Sequence, residues 1–125
     1  MVAGSEILVV DDDADIRDTL RDALEFEGYA VSVAANGRDA WETLRSPALP
    51  ALILLDLMMP VMNGAEFLGL LRADDRLRKV PVVVVTALGS VAPTVKAESQ
   101  GYLPKPLELE RLLETVARYC TRSDA

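Results

Sequence analysis

Five short stretches of this chain are apolar at nearly every position, and four of them end on a residue carrying charge or a hydroxyl. Ile7–Val10 runs into Asp11-Asp12-Asp13, Ala51–Leu55 into Asp56, Pro81–Val85 into Thr86, and the brief Tyr102–Pro104 into Lys105. Tyr29–Val33 is the remaining one. Strands that alternate apolar and polar residues lie with one face in water. Strands apolar at consecutive positions must be covered on both faces, the pattern of a parallel sheet between helices.

The intervening segments carry the helical period. Asp13 is placed to cap a helix running to about Glu27, with Ile16, Thr19, Leu20, Ala23 and Leu24 on one side and Gly28 at its C-terminal stop. Asn36-Gly37 reads as a turn, followed by a short helix over Arg38–Arg45 that buries Ala40, Trp41 and Leu44. Pro47 and Pro50 bracket a loop. After a second loop, Met58–Asn63, Gly64 opens a helix burying Phe67, Leu68 and Leu71. A shorter helix covers roughly Pro93–Gln100, and a last one Leu107–Cys120, expected to bury Leu109, Leu112, Leu113, Val116 and Cys120. Five β-α units with short links fit one α/β domain over residues 1–125, with helices on both faces of a parallel sheet.

Composition narrows the function. The net charge of −7 and pI near 4.5 repel a phosphate backbone, so no direct nucleic-acid binding is expected. With no histidine, the chain cannot build a Ser-His-Asp triad or donate phosphohistidine. With Cys120 as its single cysteine it has no internal disulfide and no cysteine zinc cluster. A cytoplasmic setting fits. Met1–Ser5 is too short and uncharged to head a signal peptide, and no apolar run spans a bilayer.

The chemistry concentrates where the strands stop. Singly, an Asp after a strand is a helix cap, a Thr a turn residue and a Lys a solvated charge. Four such residues on one edge of one sheet, where open α/β sheets bind ligands, are hard to obtain by chance. Clustered carboxylates repel unless a cation sits among them, and Mg²⁺ prefers hard oxygen ligands. Asp12 and Asp56 can hold it directly, Asp11 through water, and a backbone carbonyl just after Asp56, that of Met58, can add another oxygen. A carboxylate is a competent nucleophile toward phosphorus, and Lys105 and the Thr86 hydroxyl can neutralise phosphoryl oxygens.

The strings Ile7-Leu8-Val9-Val10-Asp11-Asp12-Asp13, Leu54-Leu55-Asp56-Leu57-Met58-Met59-Pro60-Val61-Met62-Asn63-Gly64, Val84-Val85-Thr86-Ala87 and Gly101-Tyr102-Leu103-Pro104-Lys105-Pro106 resemble, in order and spacing, the receiver domains of response regulators. The resemblance implies a flavodoxin-like strand order 2-1-3-4-5. It implies a cytoplasmic two-component phosphorelay function, in which the chain becomes a phosphoprotein bearing an aspartyl phosphate. Asp56 is then the phosphoacceptor, Asp11 and Asp12 the Mg²⁺-holding pair, Lys105 the phosphate-binding lysine, and Thr86 and Tyr102 the switch pair. Asp13 has no such role and remains a cap. Lys105-Pro106 resembles a position with a cis peptide.

The partners implied are a sensor histidine kinase or histidine phosphotransfer protein upstream, and an effector or fused output domain downstream. The switched surface would comprise the fourth helix, fifth strand and fifth helix. The chain would promote its own phosphoryl transfer and dephosphorylation rather than turn over an external substrate. In this family the positions two beyond the acceptor and two beyond the switch threonine border the path of attacking water. Here they are Met58 and Leu88, which cannot orient a water, so slow hydrolysis is implied.

One departure stands out: the span from Thr86 to Tyr102 is short for the family, so the fourth helix or its exit must be trimmed. A haloacid-dehalogenase-type phosphatase is the rival enzyme, since Asp11-x-Asp13 mimics its nucleophile motif. It lacks support because the later strand ends in Thr86-Ala87 rather than an acidic pair. A flavodoxin-like electron carrier would need a phosphate-binding loop where three aspartates stand. A receiver that binds without phosphorylation would have lost the acceptor or the acidic pair, and both are intact.

Overall fold

The computed structural model describes residues 6–59, 62–87 and 91–120; Met1–Ser5 and Thr121–Ala125 lie outside them, as do Pro60, Val61 and Leu88–Ser90. Strands β1 (Glu6–Val10), β2 (Ala30–Ala34), β3 (Leu52–Asp56), β4 (Val82–Thr86) and β5 (Gly101–Pro104) alternate with helices. These are α1 (Ala14–Phe26), α2 (Gly37–Thr43), α3 (Gly64–Ala73), α4 (Pro93–Glu98) and α5 (Leu109–Tyr119). The expected boundaries shift by no more than two residues. The sheet is parallel throughout, in the expected order β2-β1-β3-β4-β5.

The consecutive apolar residues of the strands divide by parity between two cores. Leu8, Val10, Ile53, Leu55, Val82 and Val84 face Ala40, Leu44, Phe67, Leu68, Leu71 and Val95 of α2, α3 and α4 and the residues beside them. Ile7, Val9, Leu52, Leu54, Val83 and Val85 face Leu20, Leu24, Leu112 and Val116 of α1 and α5. Cys120 closes this second core, and burial pushes its thiol up to about 11.

Local chemistry fixes the helix ends. The Asp13 carboxylate accepts from the N–H groups of Asp15 (2.9 Å) and Ile16 (3.3 Å), as its capping role requires. Gly28 ends α1 at φ 95°, the left-handed conformation that spares glycine a Cβ clash. Asn36-Gly37 proves to be a helix start rather than a separate turn, because the Asn36 carbonyl oxygen of the side chain accepts from Asp39 N–H at 2.9 Å. Leu109 is not buried as expected: it is 54% exposed. It shares the spacing of Leu112 and Val116 but stands in the first turn of α5, beyond the covered part of the stripe. Trp41 and Leu113 are only partly buried, at the margins of their cores.

The connection from α4 to β5 is short. Helix α4 has six residues, and Gln100 follows almost at once to begin the return into β5. Arg72 of α3 secures this junction. Its guanidinium donates to the carbonyls of Glu98 (2.8 Å), Arg78 (2.8 Å) and Val80 (2.9 Å) and to the Gln100 side-chain oxygen (3.0 Å). The same Gln100 oxygen accepts from Val82 N–H at 2.7 Å.

Helix α3 begins hard against the end of β3. A Cβ on Gly64 would lie 2.4 Å from the Asp56 carbonyl oxygen and 2.7 Å from the Leu57 Cα, both backbone atoms that cannot swing aside. Gly69, in the same helix, has open space around it. Gly64→Ala should therefore destabilise the fold by about 1–3 kcal/mol through overpacking. Gly69→Ala should stabilise it by about 0.5–1 kcal/mol through helix propensity. Urea denaturation of the two variants beside the wild type measures both, and equal effects would contradict the close approach.

Candidate functional site

The carboxyl ends of β1, β3 and β4 and the residue after β5 bring together the polar groups named from the sequence. Asp11 and Asp56 are 2% and 3% exposed, and Thr86 is fully buried. Parallel pairing sets this convergence: Val10 lies beside Leu55, Asp56 beside Val85, and Thr86 beside Pro104. Lys105 N–H donates to the Thr86 carbonyl at 2.9 Å, extending the β4–β5 ladder to the lysine. The Lys105-Pro106 peptide is cis.

The lysine ammonium bridges the two buried acids. Lys105 Nζ is 3.0 Å from Asp11 Oδ2 and 3.5 Å from Asp56 Oδ2. Burial works to lower the lysine pKa, but the hydrogen bond and charge of Asp11, joined by Asp56, carry it above its ordinary value. Burial raises the Asp56 carboxyl above the usual carboxylate range. The N–H of Met58, 3.1 Å from Asp56 Oδ1, opposes that rise; the charge of Asp11 adds to it and Lys105 lowers it.

Asp12 stands exposed beside this pair. One oxygen from each of Asp11, Asp12 and Asp56 lies within 4.8 Å of the others, a single group of this kind among the described residues. Three hard oxygen donors, one open to water and with no soft ligand among them, suit an octahedral Mg²⁺ that keeps part of its hydration. The residues present therefore fit the cation the sequence implied. Met58 enters through its N–H, and its side chain is 62% exposed. Leu88, its expected companion, lies outside the described residues.

Tyr102 sits on β5 opposite Val84, two register steps before the pair Thr86–Pro104, so it shares a sheet face with Thr86. It is partly exposed at the sheet edge. Two contributors escaped the sequence reading. Arg17 Nη1 donates to the Asp11 carbonyl at 2.8 Å, and Gly64 lies on the backbone of Asp56. Neither leaves a periodic signal, because one contact reaches a main-chain atom and the other depends on an absent side chain.

The family model described as "Response regulator receiver domain" matches residues 7–117. Response regulator MprA of Mycolicibacterium vanbaalenii is 44% identical over 112 residues, 86% of this chain and 46% of that protein. Response regulator Rre1 of Synechocystis is 36% identical over 95% of this chain and 53% of that protein. The chain thus spans about half the length of these curated relatives. An uncharacterised 14.6 kDa protein of Leptolyngbya boryana matches nearly end to end, 38% identical over 95% of this chain and 92% of that one. Among solved structures, chemotaxis protein CheY4 of Vibrio cholerae superposes with a TM-score of 0.80 at 34% identity, covering 91% of this chain and 97% of that one.

The electrostatics carry a stability consequence. Because the folded Asp56 has a raised pKa, its neutral form is the one the fold favours. That contribution is fully present below the unfolded value of 3.8 and is lost as pH rises through the folded value. Asp56→Asn keeps an oxygen for Met58 N–H and removes the charge. In chelator, its Tm should exceed that of the wild type at pH 7, and the difference should shrink toward pH 3.5. Thermal melts at the two pH values check this, and a variant less stable than the wild type at pH 7 contradicts it.

Proposed function

The chain belongs to the response regulator receiver domain family, and on that premise we propose that Asp56 accepts a phosphoryl group from a phosphohistidine partner in a two-component phosphorelay. Receiver domains of this family are not enzymes that turn over a separate substrate. The observation that carries the reading is the buried Asp56 carboxylate, 3.5 Å from Lys105 Nζ and grouped with Asp11 and Asp12.

In the reaction an Asp56 oxygen attacks phosphorus, the new oxygen–phosphorus bond forms, and the phosphorus–nitrogen bond to the donor imidazole breaks. The departing imidazole takes up a proton, and Asp56 becomes a mixed anhydride. Asp11, Asp12 and Asp56 would hold a Mg²⁺, which would supply positive charge to offset the carboxylates and the incoming phosphoryl oxygens. Lys105 is close enough to exchange part of its contact with Asp56 for a phosphoryl oxygen. The Thr86 hydroxyl, at the same edge, gains a charge-assisted acceptor when the phosphoryl group arrives. Movement of Thr86 inward frees space on the face it shares with Tyr102, and the surface of α4, β5 and α5 changes population with it. Hydrolysis of the anhydride resets the domain.

The setting is the cytoplasm, where kinase, receiver and effector meet. Among the described residues no helix is long and apolar enough to cross a membrane. Residues 1–125 act as one receiver domain, with an effector or output domain downstream. A groove of about 300 Å³, lined by Asp15, Ile16, Thr19, Leu20, Lys105, Pro106 and Leu107, opens beside the active lysine. Its apolar floor gives a histidine-bearing partner a surface next to the acceptor.

Incubation with acetyl phosphate and Mg²⁺ should add one phosphoryl group by intact-mass spectrometry. Chelation should nearly stop the labelling, and Asp56→Asn should abolish the main adduct. A variant labelled as well as the wild type would reject Asp56 as acceptor. Ile16→Glu and Leu107→Glu separate docking from chemistry. Each should slow transfer from a phosphohistidine protein about 10-fold, equal to ~1.4 kcal/mol, while labelling by acetyl phosphate stays unchanged.

A further inference from the structure

The turn after β1 carries three consecutive aspartates, of which Asp11 is buried and Asp12 is exposed. Like charges at such spacing push apart, so their carboxylates converge only where the main chain forces them to. Several contacts impose that shape. Asp11 N–H donates to the Ala34 carbonyl at 3.1 Å, and Asp13 N–H donates to Asp11 Oδ1 at 2.9 Å. The Asp13 side chain caps α1. The remaining restraint comes from one turn into the helix, where Arg17 Nη1 donates to the Asp11 carbonyl oxygen at 2.8 Å.

That carbonyl belongs to the peptide plane joining Asp11 to Asp12. Fixing its oxygen fixes the rotation of the plane, and with it the direction in which the Asp12 Cα presents its carboxylate. No hydrogen bond to the Asp12 side chain is formed among the described residues, so the main chain alone aims it. Arg17 is itself tied to the turn through its helical N–H, which donates to the Asp13 carbonyl at 3.0 Å. Its charge has the opposite tendency: a guanidinium near a cation site opposes cation binding.

We propose that Arg17 is a positioning residue for the divalent-cation site, acting through the Asp11–Asp12 peptide rather than by touching the cation or the phosphoryl group. The inference rests on the functional reading above and adds to it a residue outside the acidic cluster. Restraint and charge make opposite demands on affinity. If the restraint dominates, loss of the guanidinium weakens Mg²⁺ binding; if charge dominates, the same loss strengthens it.

Isothermal titration of Mg²⁺ into wild type, Arg17→Met and Arg17→Lys decides between them, with melting curves in chelator to establish that each variant is folded. Arg17→Met keeps the apolar stem and loses donor and charge; Arg17→Lys keeps the charge and one donor. The expected result is a Kd raised about 10-fold in Arg17→Met, the size typical of residues that orient metal ligands, and largely recovered in Arg17→Lys. Acetyl phosphate labelling of Arg17→Met should then approach the wild-type rate at saturating Mg²⁺. An unchanged or lowered Kd in folded Arg17→Met overturns the proposal. Should Arg17→Met fail to fold, Arg17→Ala takes its place: a Kd raised about 10-fold supports the proposal, and an unchanged or lowered one overturns it. A wild type that binds no Mg²⁺ removes the functional reading itself, and the proposal with it.

Discussion

Two carboxylates are buried at the end of this sheet with one ammonium between them, and the rest of the site is arranged around that imbalance. Lys105 contacts both Asp11 and Asp56 yet can neutralise only one. The surplus is spread over a Met58 N–H on one acid and an Asp13 N–H on the other. Such a cluster is stable enough to fold and poor enough in positive charge to attract a cation. The apolar strands make this tenable. Their tight two-sided packing holds the carboxylates near one another against a repulsion that a looser framework would relax.

The sequence disclosed most of this because the informative residues sit at a boundary. A run of consecutive apolar residues ending in Asp, Thr or Lys marks both a buried strand and its functional edge, so Asp11, Asp56, Thr86 and Lys105 could be named together. Asp12 followed from adjacency to Asp11. Arg17 was hidden, because its contact is made to a carbonyl and any long donor on that helix face would look the same. Gly64 was read correctly as a helix start but not as a point of contact with the Asp56 backbone. Leu109 misled because helical spacing places a residue on a face without telling how far along the helix that face is covered. Asn36-Gly37 misled because the same pair serves tight turns and helix caps.

The short α4 has its own physical support. With α4 cut to six residues, little of its stability comes from its own hydrogen bonds. Arg72 instead ties the end of α4 to α3 and to the approach of β4, and Gln100 completes the join through Val82. Burial lowers the Arg72 pKa from its usual value, and the charge of Glu98 works the other way. A side chain from α3 thus secures a junction that so short a helix cannot hold by itself.

The division of the core by strand parity has a further consequence for how the molecule opens. One layer rests on α1 and α5, of 13 and 11 residues; the other has α3 at 10 residues but also the short α2 and α4. The sheet belongs to both layers, so amide protection of β1, β3 and β4 is expected to be lost only with unfolding of the whole domain. The α2 and α4 segments can exchange by local excursions that leave the α1–α5 layer closed. Fluctuation is thereby concentrated on one side of the sheet, the side on which Thr86 and Tyr102 lie.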